Sequence, residues 1–184
     1  MHMERMRQLV GEMLIYCFVV ALASGAFLAY FYVPSGRMVP YGGSYEPLRN
    51  IPMSAAYDSV LKISLDVRGG VFMRQLHHQS SVLLVVGTVV WALLGRFRYA
   101  FALAGLGLSL LGALAGYGSA DDLLADTVLG RIPVLLWYGL HLLAALALGV
   151  ALVASSRREA VSQPRTPAFM ALSLCLAVLV IFWL

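Results

Sequence analysis

The sequence predicts an all-α membrane protein, a five-helix transmembrane bundle. Three observations carry that reading. The 184 residues are 61% hydrophobic and only 12% charged, about half the charged fraction of an ordinary soluble domain. Mean hydropathy is +0.84. Several apolar runs of about 20 residues are each long enough to cross the hydrocarbon core of a bilayer. They show no period-two alternation, which argues against a barrel.

Residues 1–8 form a short polar, basic start, and the first helix is expected at 9–33. Pro34-Ser35-Gly36 is its stop signal. That apolar run is too long for a signal peptide and lacks a small-residue cleavage site, so it reads as a retained helix. Residues 34–68 read as a long polar loop. Within it, 53–67 places Ala56, Val60, Ile63 and Val67 on one helical face, an amphipathic helix expected to lie on the membrane surface. Gly69-Gly70 breaks the chain before a second span at 71–94.

Gly95-Arg96-Phe97-Arg98 is a very short connection to a third span at 99–117, rich in glycine (Gly105, Gly107, Gly112, Gly116). Small residues allow close helix approach in a bilayer, or leave room for a flat ligand. An acidic loop, 118–126, precedes the fourth span at 132–154. A polar, basic stretch with Arg157, Arg158 and Arg165 leads to the last helix, 168–184. All of this constitutes one transmembrane domain over 1–184.

The basic residues flank the apolar runs, so lipid headgroups and topology account for the net charge of +4; no nucleic-acid partner is implied. Arg5 and Arg7, Arg96 and Arg98, and the three arginines before the last helix fall on one side of a five-span topology. That side is expected to be the cytoplasm. Cys17 and Cys175 have no paired spacing and read as small core residues. There is no nucleotide-binding fingerprint or nucleophile–base constellation, so no catalytic residue is assigned.

Histidine carries the functional signal. The chain has four: His2, His77, His78 and His141. His77 and His78 open the second span, and His141 lies inside the fourth. Ionisable residues within spans are costly and mark functional sites. A lone membrane histidine is more often a helix-to-helix hydrogen-bond partner. Two on facing helices suit axial ligation of an iron porphyrin, with Arg74 one helical turn before His77 for a propionate. No Cys-x-x-Cys-His is present, so attachment is expected to be non-covalent, as in a b-type haem. At this point His77 and His78 are both candidates.

Further segments carry a resemblance. They are Ser24-Gly25-Ala26-Phe27-Leu28-Ala29-Tyr30, Tyr41-Gly42-Gly43-Ser44-Tyr45-Glu46-Pro47-Leu48-Arg49, Met53-Ser54-Ala55-Ala56-Tyr57-Asp58-Ser59, and Asp66 through His78. Gly116 through Leu124 adds one more. Over most of residues 10–145 the chain resembles the N-terminal, haem-carrying part of the cytochrome b subunit of quinol:cytochrome c oxidoreductases, above all the actinobacterial form. The resemblance implies a four-helix haem bundle, here with one extra C-terminal helix. It selects His77 and His141 as the axial iron ligands of the outer haem and implies Arg74, Gly25 and Gly116 as residues around it. It also implies other subunits of a membrane oxidoreductase, menaquinone or another quinone as a further partner, and a bacterial cell membrane.

The family pattern holds a second, inner haem. Where its ligands belong, fourteen residues after His77 and fourteen or fifteen after His141, stand Trp91 and Ser155 or Ser156. One haem in the outer leaflet is therefore expected, with Trp91 filling vacated space. The expected function is an electron relay between an extracytoplasmic redox partner and a quinone or another membrane subunit. A non-redox structural subunit and a half-size cytochrome b of a split complex remain the alternatives.

Overall fold

The computed structural model describes residues 2–122, 124 and 127–183. Met1, Leu184 and, in the acidic loop, Leu123, Ala125 and Asp126 lie outside the described residues. Four apolar helices dominate: α1 (His2–Phe31), α3 (Gly70–Leu94), α4 (Ala100–Ala120) and α5 (Val134–Ser162). Each is long and apolar enough to cross a membrane; even the 21 residues of α4 rise about 30 Å. The helices overlap the runs expected at 9–33, 71–94, 99–117 and 132–154 and differ from them at some ends. The reasons are side-chain partners beyond the apolar stretch.

At the start, α1 gains about two turns because Arg7 Nε ion-pairs with Glu159 at 2.9 Å and Gln8 Nε2 donates to the Gln163 carbonyl at 2.8 Å. In the same way α5 runs on to Ser162, eight residues past its apolar part. Ser155, Ser156 and Glu159 are all buried there. Ser155 bonds the Tyr99 hydroxyl at 2.7 Å, and Ser156 donates to Glu12 Oε1 at 2.6 Å.

Close approaches fix the packing. Gly11 lies against Trp91 and Gly25 against His77, so α1 and α3 are antiparallel. Thr88–Ser109 and His78–Tyr117 bonds join α3 to α4 in the same sense. Gly116 against His141 does so for α4 and α5, and Phe18 against Gly149 closes α5 onto α1. The four helices thus form a ring. Its outward face is apolar: Leu143, Leu146 and Val150 of α5 are 66%, 66% and 70% exposed. A soluble fold buries such a stripe; a bilayer solvates it.

The last helix, α6 (Pro167–Trp183), is apolar but has only 17 residues, fewer than the four long helices. It packs on α1 with Phe169, Ser173, Ala177 and Ile181 at four-residue spacing. The ion pair Arg165–Glu12, 3.0 Å, and Arg5 stacked over Phe169 at 4.0 Å tie its start down. Cys17 is buried as expected, but Cys175 is exposed. It sits on the face of α6 away from α1, where nothing covers it.

The long polar loop has more structure than its composition suggested. Strands β1 (Met38–Pro40) and β2 (Pro52–Ser54) pair antiparallel, with Val39 opposite Met53. Ser54 caps the next helix, α2 (Ala55–Leu65), accepting from the Tyr57 amide. Ala56 and Ile63 of the expected amphipathic face are buried, and Val60 is partly so. Val67 falls beyond the helix end. The face is turned onto α3 and α4, so α2 roofs this end of the bundle.

The two ends of the ring differ. The buried apolar cluster, with Leu14, Leu84, Trp91, Ala102, Leu148 and Leu152, occupies the half nearer the N-terminus. A network of buried polar groups closes that end. Glu12 is 4% exposed, ion-pairs with Arg165 and accepts a hydrogen bond from Ser156. Breaking a buried ion pair by removing one partner typically costs about 3–5 kcal/mol. Glu12→Ala is therefore expected to lower the thermal midpoint of the detergent-solubilised chain by several degrees, whereas a substitution at the outward-facing Val150 leaves it in place.

Candidate functional site

The other half of the ring is hollow. A cavity of about 980 Å³ lies between α1, α3, α4 and α5, with Val60, Ile63 and Ser64 of α2 above it. Its walls include all five residues singled out from the sequence: His77, His141, Arg74, Gly25 and Gly116.

His77 and His141 face each other across this space. Their ring centroids are 6.0 Å apart, with 67° between the planes. Each ring is anchored through Nδ1 to a helix carbonyl: His77 to Ala21 at 2.9 Å, His141 to Gly112 at 2.8 Å. A carbonyl only accepts, so each Nδ1 carries the proton and donates it. Nε2 is then the lone-pair nitrogen on both rings, the state a metal ligand requires.

The two glycines make the room. A methyl group on Gly25 would stand 3.0 Å from His77 Cε1, and one on Gly116 would stand 3.2 Å from His141 Nδ1. Any side chain at either position would push the imidazole aside. His78, the second candidate of the pair, also borders the cavity, but its ring is engaged elsewhere. Its Nε2 meets the Tyr117 hydroxyl at 3.0 Å on the α3–α4 side, and the ring is exposed. Arg74 stands at the cavity mouth, where its guanidinium donates to Ser64 Oγ of α2. Among the described residues no group of three or more His, Cys, Asp or Glu side chains could hold a bare ion. The site offers two imidazoles only, so a metal here must bring most of its own ligands.

A porphyrin does so, and the residues fit it. Metal–imidazole bonds are about 2.0–2.1 Å, and roughly 1.1 Å separates each nitrogen from its ring centre, so two imidazoles sharing one metal would need centres about 6.2–6.4 Å apart. The observed 6.0 Å lies a few tenths of an ångström short of that. The walls are mostly apolar, with an arginine at the mouth.

Trp91 occupies the corresponding depth in the other half. It is 0% exposed and the largest fully buried side chain. Its indole fills the space between two helices where glycine stands: a methyl on Gly11 would be 3.4 Å from Nε1, and one on Gly105 3.3 Å from Cζ3. Ser155 and Ser156 are engaged by Tyr99 and Glu12. Among the described residues indole Nε1 has no hydrogen-bond acceptor, so Trp91 serves here by volume. The sequence reading missed the α2 roof, the two carbonyl acceptors and Ser24 beside His77. Backbone acceptors leave no sequence signal, but Ser24 precedes Gly25 and was within reach.

A ring of antiparallel apolar helices enclosing two facing imidazoles defines a membrane bundle with a bis-histidine site. Curated homologues of the chain are cytochrome b subunits of actinobacterial cytochrome bc1 complexes. The chain is 37% identical over 129 residues to that of Streptomyces coelicolor, covering 65% of this chain and 24% of the relative. It is 34% identical over 155 residues to that of Corynebacterium efficiens, 79% of this chain and 27% of the relative. The Mycobacterium tuberculosis subunit is 39% identical over 127 residues, 64% and 23% respectively. The chain thus spans about a quarter of the length of these relatives, consistent with an N-terminal part of cytochrome b. No family model matches the chain.

Replacing a buried tryptophan by alanine typically costs about 3–5 kcal/mol through lost contacts and the cavity left. Trp91→Ala is expected to fall in that range by chemical denaturation in detergent, with His77 and His141 undisturbed half a bundle away.

Proposed function

We propose that the chain is a membrane-embedded cytochrome subunit that holds one b-type haem between His77 and His141. It would relay electrons between an extracytoplasmic redox partner and a quinone, menaquinone among them, or another membrane subunit of a larger oxidoreductase. The observation that carries this reading is the pair of imidazoles 6.0 Å apart with both Nδ1 atoms committed to backbone carbonyls. The homology to cytochrome b subunits supports it independently.

A haem bound here supplies one-electron storage and transfer. The chain supplies the rest. His77 and His141 present Nε2 lone pairs from opposite walls. Gly25 and Gly116 leave the rings free to stand upright. Arg74 offers a cation for a propionate near the polar end, while α2 shields the cavity from water. Apolar walls disfavour extra charge in the site and so help set the potential.

The second half of the bundle takes no part in this relay. Trp91 fills the depth at which an inner haem would sit, and serines stand in place of a ligand on α5. Electrons would therefore enter and leave on one side of the membrane. Positive residues at the N-terminus, the α3–α4 turn and the α5–α6 turn favour a cytoplasmic N-terminus in a bacterial cell membrane. The haem then lies in the outer leaflet, and the β1–β2 loop and the acidic loop after α4 form the docking side.

The test is a reduced-minus-oxidised spectrum of the purified full chain and its variants. A b-type spectrum in the wild type is expected, lost in His77→Ala and in His141→Ala and sharply reduced in Gly116→Leu, with His78→Ala retaining it. No haem in the wild type, or loss in His78→Ala with retention in His77→Ala, would overturn the reading.

A further inference from the structure

The two histidines are not equivalent, and the difference lies in Ser24. Its hydroxyl is buried, 2% exposed. Ser24 Oγ donates to the Val20 carbonyl at 2.7 Å, the usual back-bond of a helical serine, and also lies 3.1 Å from the Ala21 carbonyl. It stands 3.4 Å from His77 Nδ1. The same Nδ1 donates to Ala21 at 2.9 Å. With its proton directed to Val20, the oxygen turns a lone pair toward the imidazole N–H. His77 Nδ1–H therefore faces two acceptors, the carbonyl as the main one and the hydroxyl as the weaker. On the opposite wall, His141 Nδ1 has only the Gly112 carbonyl among the contacts of the described residues.

Acceptors at Nδ1 push electron density to Nε2 and strengthen the imidazole as a donor. They favour the more positively charged, oxidised state of a bound iron. Burial in a low-dielectric span magnifies a fixed dipole of this kind. The neighbouring Gly25 complements Ser24: a Cβ added there would stand 3.2 Å from His77 Nδ1. The Ser24-Gly25 step thus seats one edge of the ring.

We propose that Ser24 is a positioning residue for His77: its hydroxyl oxygen holds the imidazole by its Nδ1–H and makes His77 the stronger donor of the two axial ligands. The proposal rests on the bis-histidine haem reading and goes beyond it by assigning unequal ligands.

The experiment is a redox titration with low-temperature EPR of the ferric state, on the wild type, Ser24→Ala and Ser24→Thr. Each preparation is first assayed for haem content. Ser24→Ala is expected to keep its haem and shift its midpoint to more positive potential with altered low-spin g values. Ser24→Thr, which retains the hydroxyl, is expected to stay with the wild type. An unchanged or more negative midpoint in haem-replete Ser24→Ala would overturn this assignment while leaving the haem site intact. A wild type without haem would instead overturn the underlying reading. Equal shifts in Ser24→Ala and Ser24→Thr would show a packing role only and so reject the hydroxyl.

Discussion

An imidazole inside a bilayer brings one N–H that has to find an acceptor, because no water is there to take it. In this bundle both interior imidazoles find a helix carbonyl on the neighbouring helix, Ala21 on α1 and Gly112 on α4. Those two bonds decide much of the remaining architecture. They fix the tautomer and anchor each ring to the neighbouring helix. They also demand close approach of α1 to α3 and of α4 to α5. Only glycine at Gly25 and Gly116 allows that approach without displacing the rings.

The rest of the ring divides its labour along its length. One half keeps an open, apolar-walled cavity under the roof of α2. The other half is closed by Trp91 and by a polar network in which Glu12 and Glu159 are each buried with an arginine partner. Close packing of a membrane interior favours a filled site over a void. An indole between Gly11 and Gly105 is such a filling, on helices whose glycines leave space for something wider than an aliphatic side chain.

Much of this was legible in the sequence because its strongest signals are local. Spans follow from uninterrupted hydropathy, and α3 was placed to within a residue. The facing of His77 and His141 followed from the cost of histidine in lipid and from the family resemblance. What escaped was long-range. The extra turns of α1 and α5 are held by pairs such as Arg7–Glu159, which lie 152 positions apart. The polar loop looked irregular because strands of three residues carry almost no periodicity. The amphipathic face of α2 was read correctly at Ala56 and Ile63, yet its partner proved to be the bundle end, since hydropathy cannot tell a lipid surface from a protein one. Cys175 shows the same ambiguity in reverse: in a membrane helix an apolar position can face either way.

The central claim is that one half of the bundle binds haem and the other cannot. Its most direct measurement is the haem-to-chain ratio of the purified full chain, from pyridine haemochrome absorbance against amino-acid analysis. The expected ratio is one, with a single one-electron wave in a redox titration. A ratio of two, or two resolved waves, would contradict the account by showing that the Trp91 half is also occupied, and a ratio of zero would contradict it at His77 and His141.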